Sequence, residues 1–179
     1  MKKISTYDSR AIEELYNRYS PILYTLIKKI APSEEVAEEL LSNVFTIIWK
    51  KSDKFDFKSG NVYTWLITLA RNRAVDHLRR TRSINSDIEK YDEDYEDYFI
   101  LPTLSKKIDK VDYQTALSFR PIMEKALSRL TDAQKYVIHL AYYEGYSLEE
   151  IADKLNIPVE TVRTKIMTAL KNLQEHLGS

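Results

Sequence analysis

The chain has 179 residues, enough for one domain or two small ones, and its three glycines, five prolines and 30% charged residues favour helices over sheet. The absence of cysteine excludes a disulfide framework and a cysteine-ligated zinc site. The basic start MKKISTYDSR lacks the apolar core of a signal peptide, and later apolar runs are too short for a membrane span. A cytoplasmic protein without membrane insertion is therefore expected.

The net charge of zero hides an uneven spread. Residues 10–82 hold 13 Lys/Arg against 9 Asp/Glu, residues 83–120 hold 5 against 9, and residues 121–179 hold 7 against 8. This pattern predicts an N-terminal tail (1–9), a basic front module (10–82), an acidic connector (83–120) and a near-neutral back module (121–179). The expected fold is all-α, with two small helical domains joined by a flexible acidic linker. Because nonspecific DNA affinity follows the phosphates that a protein neutralises, the chain alone is expected to bind DNA weakly.

Taken in order, Ile12, Leu15, Tyr16, Tyr19, Leu23, Leu26, Ile27 and Ile30 form a wide apolar stripe over a first helix from Arg10 to Ile30. Pro21 is expected to kink or break it. A second helix opens at Ser33, with Glu34 and Glu35 in its first turn, and runs to Lys51. Val36, Leu40, Val44, Ile47 and Ile48 are its core positions, while Glu38, Glu39, Ser42 and Asn43 should be accessible. The loop SDKFDFKSGN holds Gly60 and ends in Asn61, a candidate N-cap.

The third helix covers VYTWLITLARNRAVDHLRRTR. Thr64, Thr68, Arg71, Asn72, Val75 and Arg79 fall on one stripe expected to be exposed, with Trp65 at its edge. Such a face is either a solvated charged surface or a place where single-stranded bases and their phosphates are held. The residues leave both open. In the connector, the cluster from Asp92 to Tyr98 is either a solvated tract or a mimic of nucleic acid.

In the back module, Ile122, Met123, Ala126 and Leu127 predict a short helix, and Thr131 with Gln134 forms a capping box for the next. Gly145 is placed to terminate that helix. The stretch from Tyr146 to Leu173 then reads as two helices and a tight turn. Ser147 and Glu150 form a second capping box, Asn156 suits a left-handed terminus, and Pro158 opens the last helix. On that helix Val159, Val162, Ile166, Ala169, Leu170 and Leu173 form a seam, and Glu160, Arg163, Thr164, Met167, Thr168 and Lys171 face away. A helix-turn-helix has this layout, and so does an ordinary αα-hairpin. His77, His139 and His176 stand apart with no triad or ligand spacing, and there is no glycine-rich phosphate loop. An enzyme, a cofactor and a metal are not expected.

The order of the motifs is specific. The helix YTWLITLARNRAVDHLRR, an acidic connector and then LEEIADKLNIPVETVRTKIMTAL together resemble a sigma factor of bacterial RNA polymerase, of the short extracytoplasmic-function (ECF) group in the sigma-70 family. The resemblance covers residues 10–82 as region two and 121–177 as region four. It implies core RNA polymerase as a partner, with the β′ clamp helices meeting Glu38, Glu39, Leu41, Ser42 and Asn43, and the β flap meeting region four. It also implies promoter DNA, with melted −10 bases at Lys58, Ser59, Gly60, Asn61, Trp65, Arg71, Asn72 and Arg79. The −35 element would be read by Glu160, Arg163, Thr164, Lys165, Met167, Thr168 and Lys171. The connector would thread through the polymerase channels, and an anti-sigma factor would hold the protein inactive.

Two departures carry expectations of their own. Ser42-Asn43 stands where the family usually has Gln-Glu, which alters part of the core contact. Thr168 and Leu170 stand where arginines often follow, which predicts a weaker −35 contact. The competing readings are a stand-alone helix-turn-helix regulator and a degenerate sigma-like interaction protein.

Overall fold

The structure, a computed structural model, describes residues 1, 3–52, 62–84, 118 and 120–177. Among the described residues regular structure is helical throughout, and the chain divides into two compact units, Met1–Phe99 and Ile100–Ser179. No described helix is long and apolar enough to cross a membrane.

The first unit holds a 3-10 turn, Ile4–Thr6, and helices α1 (Ser9–Lys28), α2 (Glu34–Lys51) and α3 (Val62–Ile84). Asp8 starts α1 by accepting from the backbone N–H groups of Arg10 (3.0 Å) and Ala11 (3.3 Å). Of the expected kink or break, the break does not occur: α1 runs continuously from Ser9 to Lys28 through Pro21. Pro21 and Asn17 both lie on the exposed side, where the Asn17 carbonyl, which a proline nitrogen cannot satisfy, is open to solvent. Ser33 caps α2 as expected, its Oγ accepting from Val36 N–H at 3.3 Å.

Each of the three helices packs on the other two. Leu23 and Ile27 of α1, Val44 and Ile48 of α2, and Leu66, Ala70 and Ala74 of α3 are all fully buried. Burial of these side chains is the main stabilising contribution, about 1.5–3 kcal/mol for each large one. The segment expected to be a tail also joins this core. Ile4 is 1% exposed, and Tyr7 packs edge-on against Trp49 with ring centroids 5.4 Å apart.

The second unit holds α4 (Arg120–Ser128), α5 (Asp132–Tyr142), α6 (Leu148–Leu155) and α7 (Val159–Leu177). Both expected capping boxes form. Gln134 N–H donates to Thr131 Oγ1 (3.2 Å) while Thr131 N–H donates to Gln134 Oε1 (3.0 Å). Glu150 N–H donates to Ser147 Oγ (3.2 Å) and Ser147 N–H to Glu150 Oε2 (2.6 Å). After α5 the chain turns through Gly145 at φ 68°, two residues past the cap at Tyr143. A side chain with a Cβ would be strained there.

Two apolar clusters build the second unit. Val137 and Leu140 of α5, Ile151 and Ala152 of α6, and Val162 of α7 form one. Ala126 of α4, Leu130, and Ala169 and Leu173 of α7 form the other. The last helix therefore belongs to both clusters, its N-terminal half to the first and its C-terminal half to the second.

Candidate nucleic-acid interface

The turn between α6 and α7 follows from its sequence. Asn156 adopts the left-handed conformation (φ 52°, ψ 49°), which few residues other than glycine tolerate. Its N–H bonds to Asp153 O at 3.2 Å, and Ile157 N–H reaches back to Ala152 O at 3.0 Å. That pair of bonds closes a Schellman motif and satisfies carbonyls that the helix end would orphan. Pro158 then supplies the first intrahelical acceptor for α7, receiving Thr161 N–H at 2.9 Å.

The expected seam is inside. Val162, Ala169 and Leu173 are buried, and Val159, Ile166 and Leu170 are half-buried. Opposite them Glu160, Arg163, Thr164, Met167, Thr168 and Lys171 are all exposed, with Lys165 half-buried at the edge. Arg163 Nε lies 3.3 Å from Glu160 Oε1 on this face. Glu149, in the first turn of α6, has its carboxyl held below the ordinary value. Its own backbone N–H at the helix start does most, then the Ser147 hydroxyl, with a smaller contribution from the Arg163 charge. The α7 face thus projects cations, hydroxyls, one thioether and the Glu160 carboxylate from a helix whose back is fixed, a layout that a major-groove reader requires.

In the first unit the expected stripe on α3 needs correcting. Arg71 is 2% exposed and Val75 is fully buried, so neither lies on an accessible face. Trp65, Asn72 and Arg79 are half-buried at the surface. Arg71 Nη1 donates to Asn72 Oδ1 at 3.2 Å, so the guanidinium acts on the surface through its neighbour. Lys58, Ser59, Gly60 and Asn61 lie outside the described residues.

On α2, Glu38, Glu39, Ser42 and Asn43 are exposed as expected. Leu41 is not, being 8% exposed and counted with the core. Glu38, Leu41 and Ser42 line one wall of an open groove of about 880 Å³ between α1 and α2. Tyr16, Tyr24 and Phe45 supply aromatic surface there, and the Tyr16 and Phe45 rings are 4.8 Å apart. The apolar stripe expected on the first helix includes Tyr16, but the groove itself was not foreseen. The available signal was the ladder Ile12, Tyr16, Ser20, Tyr24, four residues apart and so on one helix face.

Comparison with known proteins gives two matches in the same order as the two units. The family model "Sigma-70 region 2" matches residues 15–84, and "Sigma-70, region 4" matches residues 126–175. The chain belongs to the sigma-70 family. It is similar to the ECF RNA polymerase sigma factor RpoE of Cereibacter sphaeroides, 28% identical over 96% of this chain and 88% of that one. It is also similar to the ECF RNA polymerase sigma factor SigK of Mycobacterium tuberculosis, 26% identical over 99% of this chain and 91% of that one. Among solved structures it resembles Rhodobacter sphaeroides SigE in complex with the anti-sigma ChrR. There the identity is 26%, with 95% of this chain and 90% of that one covered and a TM-score of 0.43. As an ECF sigma factor the protein directs promoter recognition by RNA polymerase, and its work is binding rather than bond chemistry. The α6–turn–α7 element is the helix-turn-helix of its region four.

Proposed function

We propose that α7 reads the −35 element through Glu160, Arg163, Thr164, Lys165, Met167, Thr168 and Lys171. Region two in turn holds melted −10 bases at Trp65, Asn72 and Arg79, together with Lys58, Ser59, Gly60 and Asn61. The observation that carries the upstream assignment is the clean division of α7 into a buried seam and an exposed polar face. Arg163 is the principal base reader, because its guanidinium fork matches the O6 and N7 of guanine. Glu160, ion-paired to Arg163, orients that fork. Arg71 contributes from the core by holding Asn72.

Residues 10–82 and 121–179 act as the two promoter-binding modules, joined by the acidic connector 83–120. The α1–α2 groove and the exposed Glu38, Glu39, Ser42 and Asn43 beside it form the surface for the polymerase β′ clamp helices, with Leu41 as its packed floor. Region four docks on the β flap. An anti-sigma factor competes for these surfaces in the cytoplasm, where the polymerase resides.

The test is transcription by core polymerase and the full chain on a genomic fragment library. Start sites sharing two spaced elements are expected, and Arg163→Ala should relax preference at the upstream element alone. An unchanged upstream preference would remove α7 from base reading. Stable core binding without any start sites would remove the promoter assignment altogether.

A further inference from the structure

Resting on the assignment of α7 to the upstream element, we propose that this face reads thymine by its methyl group. Met167 is the specificity-determining side chain. It is 62% exposed, although the seam of the same helix buries Val162, Ala169 and Leu173 completely or nearly so. A single exposed apolar residue is ordinary on a protein surface. Its position here is what matters. Arg163 lies one turn before it and Lys171 one turn after it, and Thr164 and Thr168 flank it, all exposed. Met167 thus stands in the middle of the surface that meets the groove, where only polar residues would be expected.

The chemistry of the groove narrows its role. Guanine is read by a cation, adenine by a side-chain amide and cytosine by a carboxylate acceptor. A thioether offers none of these, since its sulfur is a weak acceptor without a proton. The one major-groove feature that an apolar side chain complements is the thymine C5 methyl, which threonine methyls also contact. The α7 face therefore carries one fork for guanine at Arg163 and then Thr164, Met167 and Thr168 in sequence. No exposed Asn or Gln stands among the residues from Glu160 to Lys171. An upstream element with a guanine next to thymines fits this surface.

The experiment uses holoenzyme assembled from core polymerase and the full chain, on its own promoter. Each thymine of the upstream element is replaced in turn by deoxyuridine, which removes only the methyl. Loss of about 3–5-fold in promoter affinity is expected at one position, the effect of withdrawing one buried methyl. Met167→Ala should bind thymine and deoxyuridine alike at that position while keeping its preference for guanine. Arg163→Ala should do the reverse. Equal binding of thymine and deoxyuridine by the wild-type protein at every position would overturn the proposal. So would discrimination retained by Met167→Ala, or an upstream element without thymine. If neither variant changes upstream preference, the assignment of α7 itself fails, a result distinct from loss of methyl discrimination alone.

Discussion

The buried guanidinium of Arg71 donates to the side-chain oxygen of half-buried Asn72, so adjacent residues of α3 join the core to the surface. The arginine is permanently charged and cannot escape the cost of burial by losing a proton. Its hydrogen bonds must offset that cost, and the bond to Asn72 is one of them.

Arg71→Ala is therefore expected to destabilise the first unit by about 2–5 kcal/mol, through a cavity and lost bonds. Arg71→Lys should recover little, because a compact ammonium does not reproduce the planar fork. Denaturant titration of the full chain checks both. A stable Arg71→Ala protein that failed only in promoter melting would return Arg71 to direct DNA contact.

Asn72→Ala and Trp65→Ala should lower open-complex formation and leave core binding nearly intact. Unstacking costs a few kcal/mol per base step, and contacts to the flipped bases help to offset it. Permanganate reactivity of promoter thymines reports melting, and co-migration with core polymerase reports assembly. Parallel loss of both would make this part of α3 structural.

The left-handed Asn156 predicts an ordering of substitutions. Asn156→Gly should be neutral or nearly so, and Asn156→Ala should cost roughly 1–2 kcal/mol. Ser147→Ala, which removes one half of the adjacent capping box, should cost about 1 kcal/mol. Thermal melting followed by the helical signal separates these outcomes.

Ile4→Ala should destabilise the first unit by about 2–5 kcal/mol, a core-sized effect from a residue near the chain start. Removing the Tyr7 ring should cost less, since Tyr7 is 67% exposed and packs edge-on against Trp49. Equal small effects at both positions would show that the 3-10 turn is not part of the core.

Acid should act through the helix starts. Glu35 and Glu149 sit in first turns, and both carboxyls lie below their ordinary value of 4.5. For Glu35 the Ser33 hydroxyl contributes most, then its own backbone N–H. A depressed folded value means that the unfolded chain takes up the proton first. The stabilisation is thus complete above about pH 4.5 and fades as the pH falls through the lower folded values. Both groups are fully exposed, so salt should weaken the effect. Glu149→Gln is expected to flatten the acid limb of a melting-temperature profile slightly. An unchanged acid limb would show that Glu149 plays no part in it.

The back module was legible because each of its signals is local. Ser147 and Glu150 are three residues apart, Asn156 makes its turn alone, and a seam every three or four residues needs no knowledge of its partner. The face of α3 was harder. At about 100° per residue Arg71 lies at the edge of the stripe read as exposed, whereas Val75 lies near its centre and is buried all the same. A sequence gives the spacing of a stripe, while α1 and α2 decide where burial stops. Arg71 also reads as polar, and a buried arginine is uncommon. Leu41 came to the clamp-facing set from a family motif that says nothing of burial, and its packing makes it the floor of the groove and not an exposed contact. The groove lined by Tyr16 and Phe45 depends on two helices meeting, which no single stretch of sequence displays.

Because α7 is gripped by one cluster at Val162 and by another at Ala169 and Leu173, its reading face is braced at two points along its length. A rod held at one point can pivot, whereas one held at two keeps its bearing. Enlarging or shrinking Leu173, buried on the seam and away from the exposed face, should therefore swing the aim of Arg163 and Met167 while leaving them attached. New promoter preferences could then arise in this sigma factor from residues that never meet DNA.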